Sequence, residues 1–249
     1  MNRTQLFILL ITILPMLQSC QRITKEQTII DRAIEAHGGE NFTKAKISFD
    51  FRNIHYQILK TPTRFEYSRA FKDSLGNVLD LLNNQGFVRT IDGKGIKLPE
   101  DRVKAFSNSV NSVAYFALLP YGLNDEAARK SWVGETELDG YKYDIIYVNF
   151  SENGGGEDFE DEFLYWINQE TGTMDFMAYT YETEGGGIRF RKAVNPRNIN
   201  GILLQDYQNF KPESKTTPLE KMEELYKNGN LELLSEIQLE NIEVEIVGE

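Results

Sequence analysis

The clearest pattern in the chain lies in residues 141–210. Five segments dense in β-branched and aromatic residues follow one another there: YKYDIIYVNF, DEFLYWIN, TMDFMAYTYE, IRFRKAV and ILLQDYQNF. Glycine punctuates them. Asp139-Gly140 opens the series, Gly154-Gly155-Gly156, Gln169-Glu170-Thr171-Gly172 and Gly185-Gly186-Gly187 divide it, and Asn200-Gly201 makes its last hairpin. The pattern predicts an antiparallel meander. Its strands are apolar on both sides: Phe163, Tyr165 and Ile167 alternate with Leu164 and Trp166, and Met174, Phe176 and Ala178 with Met177, Tyr179 and Tyr181. Such a sheet must be covered on both faces or curve around a filled interior. The tyrosines are expected to point outward, where their hydroxyls stay wet.

On the N-terminal side, Thr24-Lys25-Glu26-Gln27 has the spacing of a capping box and predicts a helix start. Ile30, Ala33, Ile34 and His37 share one face of that helix, and Gly38-Gly39 ends it. Strands are expected over residues 47–59, 64–71, 77–82 and 86–91, with a corner at Thr61-Pro62 and a turn at Asp92-Gly93 leading to residues 96–98. Pro99-Glu100-Asp101 then opens the longest helix, with proline and acids in its first turn. Its stripe is Val103, Phe106, Val110, Val113 and Ala117, and its last turns are apolar nearly all round before Pro120 stops it. The hydrophobic loop 118–123 is expected to plug a core or rim a cavity, and a short helical piece is expected over 125–129. After Phe210 a polar linker leads to a short helix over 219–227, a stop at Gly229 and a strand-like segment, 239–247, placed to return beside an early strand.

A chain of 249 residues with 41% hydrophobic content can bury a sizeable core within a single principal domain. The first residues stand apart from it: Arg3 precedes an apolar run over 6–17, too short for a bilayer span of about 20 residues and proportioned as a signal peptide. Directly after it comes Leu17-Gln18-Ser19-Cys20, which resembles a bacterial lipobox and holds the one cysteine of the chain. Residues 1–19 are thus expected to be removed and Cys20 to carry an acyl anchor, with 20–24 as tether. The alternative is a chance cysteine beside an ordinary secretory cleavage site. With no second thiol there is no intramolecular disulfide. The formal net charge is −11, and becomes −12 when Arg3 leaves with the signal, which argues against nucleic acid as a partner and against surface adhesion to anionic lipid.

Candidate chemistry is sparse. The acidic run over 157–162 has the oxygen ligands that calcium takes but not the spacing of an EF-hand loop, so a solvated hairpin tip is the expectation. Neither glycine triplet is followed by Gly-Lys-Ser/Thr, no Gly-x-Ser-x-Gly elbow occurs, and His37 and His55 lack partner ligands at useful spacing. His37 reads as a histidine suited to a helix C-terminus and His55 as structural. No catalytic residue, metal or cofactor is expected.

The helix ending in Gly38-Gly39, the strands after it, the helix over 100–119 with its Leu-Leu-Pro end, Asp139-Gly140-Tyr141, and the Trp166-Ile167 to Thr171-Gly172 hairpin occur in an order that resembles the LolA/LolB-like lipoprotein-carrier superfamily. The resemblance covers roughly residues 25–212, leaving 213–249 as a C-terminal extension packed on the same domain. It implies a mainly β (α+β) fold: a strongly curved antiparallel sheet forming an incomplete barrel, with helices covering its concave face and a concavity suited to acyl chains. The chain departs from the carrier in having its own lipobox and the extension; an anchored protein does not shuttle. The reading is therefore a Gram-negative envelope lipoprotein, anchored at the outer membrane facing the periplasm, that binds a lipid or acyl chain and has a possible envelope protein partner. The expected lining is Phe106, Val110, Val113, Leu118 and Leu119 from the long helix and its end, with Phe163, Tyr165, Phe176 and Phe190 from the meander. A self-filled protein-interaction module and, third, a hydrolase with an unrecognised carboxylate pair are the alternatives.

Overall fold

The computed structural model describes residues 23–151, 160–182 and 185–247. Helix α1 (Lys25–His37) begins where the Thr24 hydroxyl accepts from the Gln27 N–H, and ends at Gly38, whose φ of 136° lets the chain turn away. Ile29, Ile30, Ala33 and His37 form its buried face. Six strands follow: β1 (Ala45–Phe51), β2 (Ile54–Lys60), β3 (Phe65–Asp73), β4 (Gly76–Asn83), β5 (Gly86–Ile91) and the short β6 (Lys94–Gly95). Helix α2 (Glu100–Ala117) crosses over, and the meander is β7 (Ala128–Leu138), β8 (Tyr141–Phe150), β9 (Phe163–Asn168), β10 (Met174–Tyr181), β11 (Gly187–Ile199) and β12 (Ile202–Lys211). A short helix α3 (Met222–Lys227) precedes β13 (Glu232–Ile237) and β14 (Glu240–Ile246).

The strands form two seven-stranded antiparallel sheets, β14-β1-β2-β3-β4-β5-β6 and β13-β12-β11-β10-β9-β8-β7. Together they make an incomplete barrel that does not close. The last two strands sit at neighbouring edges, β14 beside β1 with Ile47 opposite Val244, and β13 beside β12 with Tyr207 opposite Ile237. The chain passes between the sheets in two residues, and there the Leu239 N–H donates to the buried carboxylate of Asp206 (2.9 Å), which also accepts from Arg197 (2.9 Å). Among the described residues no helix is long and apolar enough to cross a membrane.

Sheet β13–β7 is covered on both faces. On the concave side, Ile29, Ile30 and Ala33 of α1, with Leu119 and Leu123, pack on Ile146, Val148, Phe163, Tyr165 and Met177. On the outer side, Leu219, Met222 and Tyr226 cover Trp166, Phe176, Ala178 and Phe190, and the Trp166 indole donates to Glu223 of α3 (2.9 Å). Apolar residues on both sides of these strands thus find two separate cores. A third cluster joins Val110, Ala114 and Leu118 to Ile47, Phe49, Ile58 and Tyr67 of the other sheet.

Several local expectations are corrected. Residues 47–59 are two strands, because Arg52 and Asn53 both take positive φ (51° and 61°), as a two-residue hairpin turn requires. No helix forms at 125–129: a 3-10 turn covers Tyr121–Asn124 and β7 begins at Ala128, paired with Phe150. β13 was not foreseen, since its Leu233 and Leu234 are exposed on an edge strand and lack an alternating pattern. An irregularity between Met174 and Phe176 in the pairing with β9 sends Met174 to the concave core, away from Phe176 and Ala178. Nor do the tyrosines point outward: Tyr143, Tyr165 and Tyr179 are buried, and their hydroxyls find partners inside, Tyr143 donating to Asp175 (3.0 Å) and Tyr165 bonded to Tyr115 (2.7 Å).

Candidate functional site

Between α2 and the concave faces of both sheets lies a partly open cavity of about 890 Å³. One wall is apolar: Phe49 and Phe51 of β1, Tyr67 of β3 and Leu82 of β4, continued by Leu118 and Leu119 at the end of α2. The opposite wall is the concave side of β9–β12, where period-two alternation brings Phe163, Tyr179, Arg189, Arg191, Gln205, Tyr207 and Asn209 to the interior. Helix α2 closes the space with Ser107, Asn108, Asn111, Ser112, Tyr115 and Phe116, positions that recur at helical spacing along one face.

The other face of α2 is occupied. Asp80, fully buried, accepts from Arg69 Nε (2.7 Å), Arg89 Nε (2.6 Å) and Arg89 Nη2 (2.7 Å), and Arg69 Nη1 reaches Ser109 of α2 (2.7 Å). Above this cluster lies the ring of Phe106, with the Arg89 guanidinium 3.6 Å from its centroid and that of Arg102 at 4.5 Å. The cluster fixes which side of the helix meets sheet and which meets cavity.

Of the residues expected to line a site, Val113, Leu118, Leu119 and Phe163 face the cavity. Phe106 instead stacks on the arginines, Val110 is buried between α2 and the first sheet, and Tyr165 lies in the core behind the wall, its hydroxyl bonded to Tyr115. Phe176 and Phe190 do not face the cavity: alternation puts them on the outer side of the sheet, 5.8 Å apart and packed on Tyr226 of the C-terminal segment. Cys20 lies outside the described residues, as do 157–159 of the acidic run. Of the rest of that run, Asp161 is buried and lines the cavity, and Glu162 accepts from the Tyr147 hydroxyl. The polar members of the wall were missed. Their signal was the alternation in IRFRKAV and QDYQNF, which sets Arg189 and Arg191, and Gln205, Tyr207 and Asn209, on one side of their strands.

Burial decides the state of the titratable groups. It pushes the hydroxyls of Tyr165 and Tyr179 above the ordinary phenol value and that of Tyr207 up to about 12, so all three stay neutral donors and acceptors. It lowers His37 from 6.5 to about 4, against the raising effects of its hydrogen bond to the Leu203 backbone and of Asp175. His37 is therefore neutral at physiological pH and does not serve the helix dipole as a cation. Its Nε2 accepts from the Met174 N–H (3.0 Å), and with both backbone partners engaged its ring has no free nitrogen for a substrate. Lys60 donates to Asp125 (2.8 Å) at the cavity's edge. The arrangement can bind an elongated ligand with an apolar body and a few polar contacts.

Comparison with other proteins gives the following. Among curated proteins no sequence matches. In chain path the protein is similar to a LolA superfamily protein from Nitrosomonas europaea, with 10% identity, a TM-score of 0.49, and 91% of this chain and 94% of that one covered. It is also similar to a DUF1329 family protein from Desulfovibrio piger (10% identity, TM-score 0.42, 88% and 93% covered) and to the Mycobacterium tuberculosis lipoprotein LppX (9% identity, TM-score 0.29, 64% and 88% covered). A family model spans residues 4–240, and the chain belongs to that family, DUF6503, a family of unknown function.

Proposed function

We propose that this protein is a Gram-negative envelope lipoprotein, anchored through Cys20 at the outer membrane facing the periplasm, that holds the acyl chain of a lipid or lipoprotein in the cavity under α2. The observation that supports the binding role is the cavity itself. About 890 Å³ of space bounded by Phe49, Tyr67, Val113, Leu118 and Phe163 lies within the roughly 300–1,000 Å³ typical of ligand sites, and it favours a bound chain over a self-filled interaction module. Each methylene buried there contributes about 0.8 kcal/mol before ordering costs. The anchor rests on the position of the sole cysteine after an apolar run. An anchored protein does not carry its ligand away, so an envelope partner that delivers or receives the chain belongs to the same proposal.

The test has two parts. Organic extracts of the purified protein, read by mass spectrometry, are expected to contain acyl lipid, and a fluorescent fatty-acid analogue is expected to bind the wild type and to lose about tenfold or more in affinity on Val113→Asp or Phe163→Asp. A folded wild type that neither co-purifies with lipid nor binds the analogue would rule the reading out. For the anchor, Cys20→Ala is expected to move the protein from the membrane pellet to the soluble fraction; a variant that stays in the pellet as firmly as the wild type would refute it.

A further inference from the structure

The cavity is not uniformly apolar, and its polar end has the wrong balance for an acidic protein. The chain carries a net charge of −11, yet the charged residues lining this space are Arg52, Lys60, Arg189 and Arg191 against Asp125 and Asp161. Lys60 and Asp125 satisfy each other (2.8 Å). Arg191 has no such partner. Its Nη2 donates to the Tyr179 hydroxyl (2.6 Å), and its guanidinium lies 4.1 Å from the ring centroid of Phe116, but among the described residues it makes no ion pair. Its Nε is buried and without a hydrogen-bond acceptor. Directly opposite on β12 stands Asn209, itself buried, whose Nδ2 is bonded to Ser235 Oγ (3.2 Å) and whose Oδ1 is also buried with no partner.

A guanidinium in a cavity wall with no carboxylate partner is costly unless something in that cavity offsets its charge. Arg191 lines the cavity, and its planar guanidinium is the donor fork that oxyanions fill. We infer that Arg191, with Tyr179, receives the anionic head of a single-headed amphiphile, a carboxylate or phosphate, whose chain runs toward Phe49, Tyr67 and Leu82. This rests on the cavity being the binding site for an acyl chain and adds the head-group chemistry. Burial keeps the tyrosines around the arginine neutral, so they do not offset its charge, and a cationic or neutral head would leave the guanidinium unpaired.

Full-length protein, stripped of endogenous lipid in a neutral detergent, is titrated calorimetrically with hexadecanoate, hexadecyl phosphate and hexadecanol. At least one anion is expected to bind about tenfold or more tightly than the alcohol, and the tighter of the two identifies the head group. Arg191→Met is expected to erase that preference while keeping hexadecanol affinity within about threefold, and Arg191→Lys to restore part of it. If hexadecanol binds the wild type as well as both anions do, the head-group assignment is overturned and the acyl-chain reading stands; if none of the three binds, both fall. Should Arg191→Met not fold, the wild-type comparison of anions with alcohol still decides.

Discussion

His37 shows how much one buried side chain can govern. It is 1% exposed, ends α1, and joins that helix to β10 and β12 by accepting from Met174 and bonding to the Leu203 backbone. Burial lowers its pKa from 6.5 to about 4, so between those values the unfolded chain binds a proton that the folded chain refuses. The stability it contributes is present above pH 6.5 and is lost as pH falls toward 4, by about 3 kcal/mol over the whole interval. In urea unfolding at pH 7.5 and pH 5.0, the wild type is expected to lose about 2 kcal/mol more than His37→Gln, whose amide serves both backbone partners at either pH. Equal losses in the two proteins would mean that the imidazole charges without disturbing the fold.

At the scale of elements, the end of α1 docks closely on the β11–β12 hairpin. A Cβ at Gly38 would stand 2.8 Å from the Gly201 carbonyl oxygen and 3.2 Å from the Ile202 Cα, both backbone atoms that cannot swing aside, and φ there is 136°. Gly38→Ala is therefore expected to cost about 2–3 kcal/mol and lower Tm by roughly 5–10 °C. Gly140, with φ of 85° but no atom near its absent Cβ, is the control, where alanine meets only the backbone penalty of about 1 kcal/mol. Calorimetric melts that show the two substitutions to be equally costly would remove the docking argument. Helix α2 illustrates the other side of element packing: Phe106 and Val110 of its apolar stripe belong to the sheet side, with Arg69 and Asp80, while Val113 meets the ligand space beside the Ser, Asn and aromatic face.

For the whole molecule, the C-terminal segment is where the two sheets depend on one another. β14 lies against β1 and β13 against β12, while Leu219, Met222 and Tyr226 cover Trp166 and Phe190 from outside. Removing residues 213–249 would uncover two strand edges and one apolar core at once, and unpaired edges of that kind invite association. The truncated chain is expected to lose its cooperative thermal transition by circular dichroism and to elute as aggregate. A monomer melting within a few degrees of the full chain would show instead that 25–212 is self-sufficient.

Much of the fold was legible because its determinants are local. A threonine cap and a Gly38 stop bound α1, Pro99 with two acids starts α2, Asp139-Gly140 and Asn200-Gly201 take the positive φ values that hairpins need, and alternation marks the strands of the meander. The return of the last segment beside an early strand was foreseen as well, as β14 beside β1. Turns without glycine, such as Arg52-Asn53, and edge strands such as β13, whose conformation is imposed by the strand they join, left no comparable mark. The site was legible only in part, for the same reason. Periodicity in a sequence says which residues share a face, as Val113 with Phe106, or Arg191 with Arg189; it does not say what that face will meet. Whether Phe106 lies over a cavity or on Arg89, whether Phe190 points to the ligand space or to Tyr226, and that Arg191 comes to stand opposite Asn209 with one polar atom of each left without a partner, depend on how sheets, helices and the C-terminal segment are stacked. Those contacts form between residues distant in the chain, so only the tertiary structure decides them.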